Sequence, residues 1–207
     1  VLFRSDVGAA ELGASMGPEA MRVAGIHTAL EQRGLEVLDR GNLAGPSNPR
    51  QTPVDGHRNL QAVLEWNCLT HEAVYEELCA QRLPVLLGGD HSLAIGSISA
   101  VARYCREAGR KLRVLWLDAH ADFNTGELSP SGNLHGMPLA CLCGFGPKAL
   151  VELGGGSVPS IHPQWIRQIG VRSVDEGEKR FLHELAVEVF DMRYIDEIGR
   201  ASCRERV

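Results

Sequence analysis

Residues 114–122 read VLWLDAHAD, an apolar run that changes directly into alternating polar residues. The four apolar residues 114–117 predict a short buried strand. Because side chains alternate along an extended chain, Asp118, His120 and Asp122 share one side of the segment that follows it. Two carboxylates and an imidazole on one buried side are costly without a cation, because like charges repel and each loses its hydration. The stretch therefore predicts a metal site at a strand end, and a solvated acidic turn is the alternative.

Outward from this stretch, short apolar strands alternate with helical patterns along the chain. This alternation predicts an α/β fold with three αβα layers and a mainly parallel sheet covered on both faces. In such sheets ligands bind at the carboxyl ends of the strands. Besides 114–117, the predicted strands are 35–38, 84–87, 166–171 and 188–190, and the predicted helices are 18–34, 60–82, 92–108, 134–143 and 176–185, with loops at 44–57, 126–132 and 153–163.

Composition narrows the class of protein. The chain has 207 residues, which suits one α/β domain, and a formal net charge of -5, which argues against a nucleic-acid partner. The sequence contains no run of eighteen apolar residues, so we expect no membrane span. Its six cysteines lack the paired spacing of a zinc ribbon and predict a reducing cytoplasm. Cys141 and Cys143 are read as helix residues, and a metal pair is the alternative.

The two ends of the chain look foreign to the rest. Residues 1–5, VLFRS, and 198–207, IGRASCRERV, resemble translated sequencing-library adapters, and the second string shows no helical or strand pattern. We expect both ends to be non-native, which leaves residues 6–197 as a partial α/β domain that is incomplete at both ends. A genuine basic tail is the alternative for the second string.

A second polar cluster, GGDHS at residues 88–92, follows the predicted strand 84–87 and opens a helix. Its glycines permit a sharp turn, and His91 then sits at the mouth of the sheet as a candidate metal ligand. A capping or packing histidine is the alternative. Carboxylates and imidazoles without thiolates suit Mn²⁺ or another divalent first-row ion. Two such ions about 3.5–4 Å apart are a known hydrolytic arrangement, and four ligand residues do not fill both.

GGDHS followed by DAHAD resembles the ureohydrolases, a family that includes arginase, agmatinase, formiminoglutamase and guanidinobutyrase. The resemblance covers about residues 6–197 and implies an arginase-like fold with two Mn²⁺ ions. It implies that His91 binds one ion, His120 binds the other and Asp118 bridges them. Asp122 would complete the first site and serve catalysis by passing a proton to the leaving group.

Residues 123–136, FNTGELSPSGNLHG, resemble the arginase substrate loop more than the agmatinase loop. The resemblance implies that Asn124, Ser129 and Ser131 bind the α-carboxylate of L-arginine, for which amide and hydroxyl donors are suited. Agmatine lacks this carboxylate, so such a site would discriminate against it. By the same resemblance His135 would shuttle a proton to solvent, as an imidazole can near neutral pH. The alternatives are a plain polar surface loop and a histidine that merely begins a helix.

Asp175 and Glu178 lie three residues apart where a predicted helix begins, so they face one side of its first turn. Favourable interaction with the helix dipole is one explanation for two acidic residues there. The resemblance to arginases implies instead that both contact the α-ammonium group of the substrate.

The function implied is metal-assisted hydrolysis of L-arginine to L-ornithine and urea by a cytoplasmic homo-oligomer, a trimer or hexamer. Two alternatives stay open: another ureohydrolase that acts on agmatine or guanidinobutyrate, and a non-catalytic arginase-like subunit. Arginases carry a third motif, S-x-D-x-D-x-x-D-P, which this chain lacks. We therefore expect the 207-residue chain alone to bind Mn²⁺ weakly and to be nearly inactive, with exposed sheet edge; urea production at an arginase level would contradict this.

Overall fold

The fold is described by a computed structural model for residues 2–3, 6–155 and 159–204. Helices and strands alternate through most of this length. The helices are α1 Gly17–Val23, α2 Ile26–Glu31, α3 Leu60–Cys79, α4 Ala94–Glu107, α5 Pro138–Leu142, α6 Lys148–Val151, α7 Glu176–Glu184 and α8 Met192–Arg204. The strands are β1 Leu2–Phe3, β2 Asn42–Leu43, β3 Val114–Leu117, β4 Ile166–Val171 and β5 Glu188–Asp191. Short 3-10 helices cover Ala14–Met16, His91–Leu93, Leu134–Gly136 and Pro163–Trp165.

The main sheet pairs β3, β4 and β5 in parallel, in that order. Leu117, the last residue of β3, lies opposite Ile169 of β4. The two strands therefore end at the same edge, and the residues that follow them lie side by side. The register between β4 and β5 shifts between Ile169 and Val171, and the residue between them, Gly170, has a φ of 92°. A bulge of this kind bends the strand beside the candidate site.

Strand β3 buries one face of the sheet. Val114 and Trp116 are each 8% exposed and pack in a core cluster with residues of α5 and α7, whereas Leu115 and Leu117 are 66% and 72% exposed. The parallel α/β architecture is thus confirmed. The sheet was expected to be covered on both faces. On its second face Leu115 and Leu117 of β3 stay exposed, whereas Tyr194 of α8 contacts Phe190 of β5 at 5.3 Å between ring centroids.

Helices α3 and α4 pack closely through a buried polar contact. The Asn67 side chain donates to the Val63 carbonyl oxygen at 2.8 Å and accepts from the Gly96 amide at 2.6 Å. A Cβ atom on Gly96 would lie 2.4 Å from the Asn67 carbonyl oxygen. Only glycine allows the helices to approach this closely, and the approach fixes the start of α4, which follows His91.

Several predicted elements differ from those observed. Residues 35–38 and 84–86 form no strand in the structure, and Leu35, Leu38 and Val85 are about half exposed. The predicted helix 18–34 divides at Gly25, whose φ is 82°, into α1 and α2. The predicted helix 134–143 divides before Pro138, which begins α5 because proline suits a first helical turn.

The strands β3 and β4 have the predicted bounds, and α3, α4, α7 and β5 differ from prediction by a few residues at their ends. Neither α6 nor α8 was predicted, and α8 runs through residues 198–204, for which the sequence predicted no helix. Residues 1, 4–5, 205–207 and, from the predicted loop 153–163, residues 156–158 lie outside the described residues. None of the described helices is both long and apolar enough to cross a membrane.

The buried His71 gives a testable pH dependence. Its Nδ1 lies 3.0 Å from the Ser99 hydroxyl, which donates to the Gly96 carbonyl oxygen, so Nδ1 is the donor in the His71–Ser99 bond. Burial lowers the pKa of His71, and the nearby Arg103 and Arg106 lower it further against an opposing effect of Glu72. Below about pH 6.5 the unfolded chain therefore binds a proton at His71 that the folded chain does not bind. The free energy of unfolding should fall as pH drops through this region.

His71→Asn keeps a donor toward Ser99 but does not titrate. We expect it to reduce the loss of unfolding free energy between pH 7 and pH 5.5 by up to about 1 kcal/mol. Urea unfolding of the variant and the wild type at a series of pH values measures it. His183→Asn, at an exposed position on α7, is the matched control. Equal pH slopes in the wild type and His71→Asn would contradict the assignment.

Candidate metal centre and substrate cleft

Three of the predicted metal ligands meet at the carboxyl edge of the sheet. The Nδ1 atom of His91 lies 2.7 Å from Asp122 Oδ2 and 2.8 Å from Asp118 Oδ2. Within the described part of the chain, these residues each offer one ligand atom, and all three atoms lie within 4.8 Å of one another. One nitrogen and two carboxylate oxygens at this spacing form a donor set suited to a divalent cation.

The fourth predicted ligand, His120, lies beside this group and outside the 4.8 Å cluster. Its Nδ1 is 3.4 Å from Asp118 Oδ1, and its backbone amide donates to the same oxygen at 2.9 Å. The two oxygens of Asp118 thus face two different imidazoles, Oδ2 toward His91 and Oδ1 toward His120. The imidazole of His120 is well exposed, with 63% of its side chain accessible.

The backbone explains how these carboxylates converge. The Asp118 amide donates to the Ile169 carbonyl oxygen at 3.1 Å, and His120 forms an isolated parallel bridge with Ser173, so the extended path continues past β3. At Asp122 the chain turns, with a φ of 49° that non-glycine residues seldom adopt. Such strained residues are concentrated at functional sites. The expectation of an extended chain holds through His120 and is wrong at Asp122.

His91 is held by its neighbours on two sides. Asp90 caps the short helix that begins at His91, because its carboxylate accepts from the amides of Ser92 at 2.9 Å and Gly8 at 3.0 Å. The Trp116 ring meets the imidazole edge-on at 5.0 Å between centroids. The cap of this short helix is therefore Asp90 and not His91, and the His91 imidazole faces the two carboxylates.

The electrostatics of the group show that it attracts positive charge. The hydrogen bond to Asp122 raises the pKa of His91 against the opposing effect of burial, and Asp122, Asp118 and Asp90 raise it further by their charge. A proton on the imidazole therefore compensates the carboxylates. A divalent cation would compensate them better, and the donor set of nitrogen and oxygen atoms fits such an ion.

Beside the metal group lies a cleft of about 190 Å³. It brings together the predicted substrate residues from two parts of the chain, the loop after Asp122 and the start of α7. The sequence-predicted residues on its wall are His120, Asp122, Asn124, Ser129, Ser131, His135, Asp175 and Glu178. Sequence reasoning missed Pro130, Asn133, Gly136 and Ser173, which also line the cleft. Ser173 could have been predicted as a cleft residue from the sequence, because it follows strand 166–171 and lies two residues before Asp175.

Two serine hydroxyls on the cleft wall are prepared to donate. Ser129 Oγ accepts from the Gly132 amide at 3.0 Å, and Ser131 Oγ accepts from the Asn133 amide at 3.2 Å. Neither hydroxyl donates a bond to any described residue. Since a hydroxyl carries one donor in addition to its acceptor lone pairs, both remain free to donate to an anionic ligand.

Asn124 connects the two halves of the cleft. Its side-chain nitrogen donates to Asp175 Oδ2 at 3.1 Å, and its backbone amide donates to the Gly136 carbonyl oxygen at 3.0 Å. The residue is 9% exposed, and its Oδ1 finds no hydrogen-bond partner among the described residues. A buried acceptor without a partner is costly, so a ligand donor in the cleft would satisfy it.

Glu178 has a more structural position than the sequence suggested. It is 3% exposed, and its carboxylate accepts from the backbone amides of Phe123 at 2.7 Å and Asp175 at 3.4 Å. Burial raises its pKa, the two amides oppose this, and the charges of Asp122 and Asp175 raise it further. Glu178 thus joins the start of α7 to the turn after Asp122, whereas Asp175 is exposed toward the cleft.

Fold and site together define an α/β domain with a carboxylate–imidazole group, a candidate metal centre, at the carboxyl edge of a parallel sheet. The model of the Arginase family matches residues 3–207, and the chain belongs to this family. The match extends beyond residues 6–197, where the sequence motifs carried the resemblance.

Individual relatives agree with the family match. The chain is 43% identical to an arginase of Bacillus caldovelox over 97% of its own length and 66% of that protein, and 40% identical to an arginase of Brevibacillus brevis over 95% of its own length and 64% of that protein. It therefore spans slightly less than two thirds of the length of these curated relatives.

Solved structures of relatives have the same fold. The native Bacillus caldovelox arginase structure superposes with a TM-score of 0.89 at 41% identity, and covers 99% of this chain and 68% of that one. An arginase structure from Bacillus subtilis gives a TM-score of 0.86 at 37% identity, with coverage of 99% and 68%. The predicted arginase-like fold class is thereby confirmed.

Glu178 provides a stability test of this architecture. We expect Glu178→Ala to lower the free energy of unfolding by about 2 kcal/mol, because it leaves two amide groups without their carboxylate partner. Urea denaturation measures the loss. Glu176→Ala, at an exposed position two residues earlier, is the matched control. A loss at position 178 no larger than at position 176 would refute the anchoring role.

Proposed function

We propose that the protein is a binuclear manganese hydrolase that converts L-arginine and water into L-ornithine and urea. One observation carries the proposal: the Asp118 carboxylate lies between the imidazoles of His91 and His120, next to a cleft that offers free hydroxyl donors. A shared carboxylate between two ligand groups is what a pair of bridged ions requires. Membership of the Arginase family supports the same reaction.

His91, Asp118, His120 and Asp122 would hold the ions. Within the described residues they supply part of a two-ion ligand set, because hydrolytic divalent ions of this class use more donors than four side chains offer. When bound, the ions would lower the pKa of a water molecule and so provide the nucleophile for attack on a guanidinium carbon. The remaining roles belong to the side chains of the cleft.

The cleft would bind the two charges of the amino-acid head group. Ser129 and Ser131 donate hydroxyl hydrogens to the α-carboxylate, and Asn124 donates its second amide hydrogen beside them. Asp175 accepts from the α-ammonium group, as does the unpartnered Oδ1 of Asn124. Glu178 contributes negative charge next to that group and holds Asp175 through its amide. Fixing the substrate in this way supplies much of the catalytic effect.

Proton transfer would fall to Asp122 and His135. Asp122 is buried at the border of the metal group and the cleft, where its carboxylate would pass a proton to the departing ornithine amine. His135 is half-buried on the cleft wall, and its imidazole would carry the proton onward to solvent. Its backbone amide donates to the Gly8 carbonyl oxygen at 3.1 Å, and this bond holds the His135 backbone in place.

Agmatine or guanidinobutyrate as substrate is the first alternative, and a non-catalytic arginase-like subunit is the second. The free serine donors favour a substrate with a carboxylate, which agmatine lacks, and the Asp175 carboxylate favours an α-ammonium group, which guanidinobutyrate lacks. We also propose a cytoplasmic homo-oligomer, a trimer or hexamer. The free thiols of Cys68, Cys79, Cys105, Cys141 and Cys143 support a reducing compartment.

The metal centre can be tested without turnover. We expect Asp118→Asn to weaken Mn²⁺ binding by at least about tenfold, because an amide replaces the charged oxygen pair shared by the two imidazoles. Titration with detection of free Mn²⁺ by electron paramagnetic resonance measures the change. Glu176→Gln removes one exposed carboxylate and is the control. Equal affinity in the wild type and Asp118→Asn would exclude this centre.

Substrate choice can be tested through the two serines. We expect the double variant Ser129→Ala, Ser131→Ala to bind L-arginine about tenfold or more weakly, because two donors to the carboxylate are lost, while agmatine binding stays unchanged. Calorimetry with Mn²⁺ present measures both ligands, and arginine labelled in its guanidino carbon reports slow release of urea. Wild-type preference for agmatine would support the first alternative.

We retain the proposal that residues 6–197 are the native domain and that the two end strings are adapter-derived. Reading the source DNA across the codons after Glu197 tests it. Codons that continue into an S-x-D-x-D-x-x-D-P motif would complete the two-ion ligand set. A native IGRASCRERV string would contradict the proposal that this end is adapter-derived. The motif without its aspartates would support the non-catalytic alternative.

A further inference from the structure

A short hairpin packs against the loop that carries the two serines. Its strands meet through reciprocal backbone bonds between Val54 and His57, at 3.0 and 2.9 Å. The turn residues Asp55 and Gly56 both have positive φ, 48° and 75°, as a type I′ turn requires. We call residues 53–58 the brace hairpin and residues 124–133 the substrate loop.

Arg58 makes the polar contacts between the two segments. Its backbone amide donates to the Gly132 carbonyl oxygen at 2.7 Å, and its side-chain Nε donates to Asn133 Oδ1 at 2.9 Å. The guanidinium also donates through Nη1 to the Gln51 carbonyl oxygen at 2.8 Å. One half-buried side chain therefore bonds Gln51, just before the brace hairpin, and Asn133 of the cleft wall at the same time.

The two segments also touch backbone to backbone. A Cβ atom on Gly56 would lie 2.1 Å from the Gly126 carbonyl oxygen, and a Cβ atom on Gly126 would lie 2.5 Å from the His57 ring. On the far side of the loop, a Cβ atom on Gly132 would lie 2.9 Å from Pro53. Contact this tight leaves the loop little freedom to shift relative to the hairpin.

These contacts act on the residues that face the cleft. Ser131 Oγ accepts from the amide of Asn133, and Ser129 Oγ accepts from the amide of Gly132, so both hydroxyls are oriented by the two residues that Arg58 bonds. Arg58 itself is not among the described residues that line the cleft. Its effect on a ligand must therefore pass through the loop.

We propose that the brace hairpin determines specificity and that Arg58 is a positioning residue for recognition of the substrate α-carboxylate. Its backbone amide holds Gly132, and its side chain holds Asn133. Together these bonds set the place and direction from which the two hydroxyls donate. This inference rests on the proposed function, because it takes the carboxylate of L-arginine to be the ligand of the loop.

The test compares Arg58→Ala and Arg58→Lys with the wild-type chain and with Arg103→Ala, which breaks an ion pair on α4 away from the cleft lining. Hydrogen exchange of peptides that cover the substrate loop measures its freedom. Calorimetry in the presence of Mn²⁺ measures binding of L-arginine and of agmatine. Lysine keeps the positive charge but cannot bond two acceptors from a planar fork, so it separates positioning from long-range attraction.

We expect both Arg58 variants to exchange faster in the substrate loop alone and to bind L-arginine about tenfold more weakly, with agmatine binding unchanged. Arg103→Ala should match the wild type. Unchanged exchange in the loop, an equal loss for both ligands, or wild-type behaviour of Arg58→Lys would overturn the inference. If the wild-type chain itself prefers agmatine to L-arginine, the proposed function fails, and the failure is visible before any variant is compared.

Discussion

Asp118 and Asp122 both approach one nitrogen of His91, and two carboxylates so close together repel unless positive charge lies between them. Much of the surrounding structure serves to maintain this crowding. Parallel pairing of β3 with β4 brings the strand ends to one edge, Asp122 adopts a strained turn, and the cap at Asp90 fixes the start of α4. Because the backbone holds these negative charges so close together, the site favours binding of a cation.

The lining of the cleft beside this centre includes two kinds of polar group. It contains the hydroxyl groups of Ser129 and Ser131 and the exposed carboxylate of Asp175, to which the Asn124 side chain donates. This combination suits a ligand that carries a negative and a positive charge a few bonds apart. Asp122 belongs both to the candidate metal group and to the cleft lining, so the proposed head-group binding and chemistry would share one cleft.

Much of the site followed from the sequence because its residues belong to short local patterns. A buried strand that changes into DAHAD places its polar residues at a strand end whatever the rest of the fold is. Contacts between distant segments were not readable in this way. Residues 53–58 looked like part of a plain loop, and their role depends on a bond from Arg58 to Asn133. Glu178 was expected to interact with the helix dipole or with the substrate, yet it is buried and accepts from the Phe123 amide in the loop after Asp122.

Strand predictions failed where burial and pairing were assumed from apolar composition alone. Residues 35–38 and 84–86 are mostly apolar, as β3 is, but they form no strand in the structure. The division of the first predicted helix at Gly25 shows a related limit, because its periodic apolar residues continue across a glycine that adopts the left-handed conformation.

Gly8 connects two parts of the site that are far apart in sequence: its amide donates to Asp90, and its carbonyl oxygen accepts from His135. A Cβ atom there would lie 2.4 Å from the Asp90 carboxylate, so no other residue fits. The practical consequence concerns protein production. A protease that trims this segment during purification would remove both bonds and so disturb the candidate metal centre from more than eighty residues away in sequence.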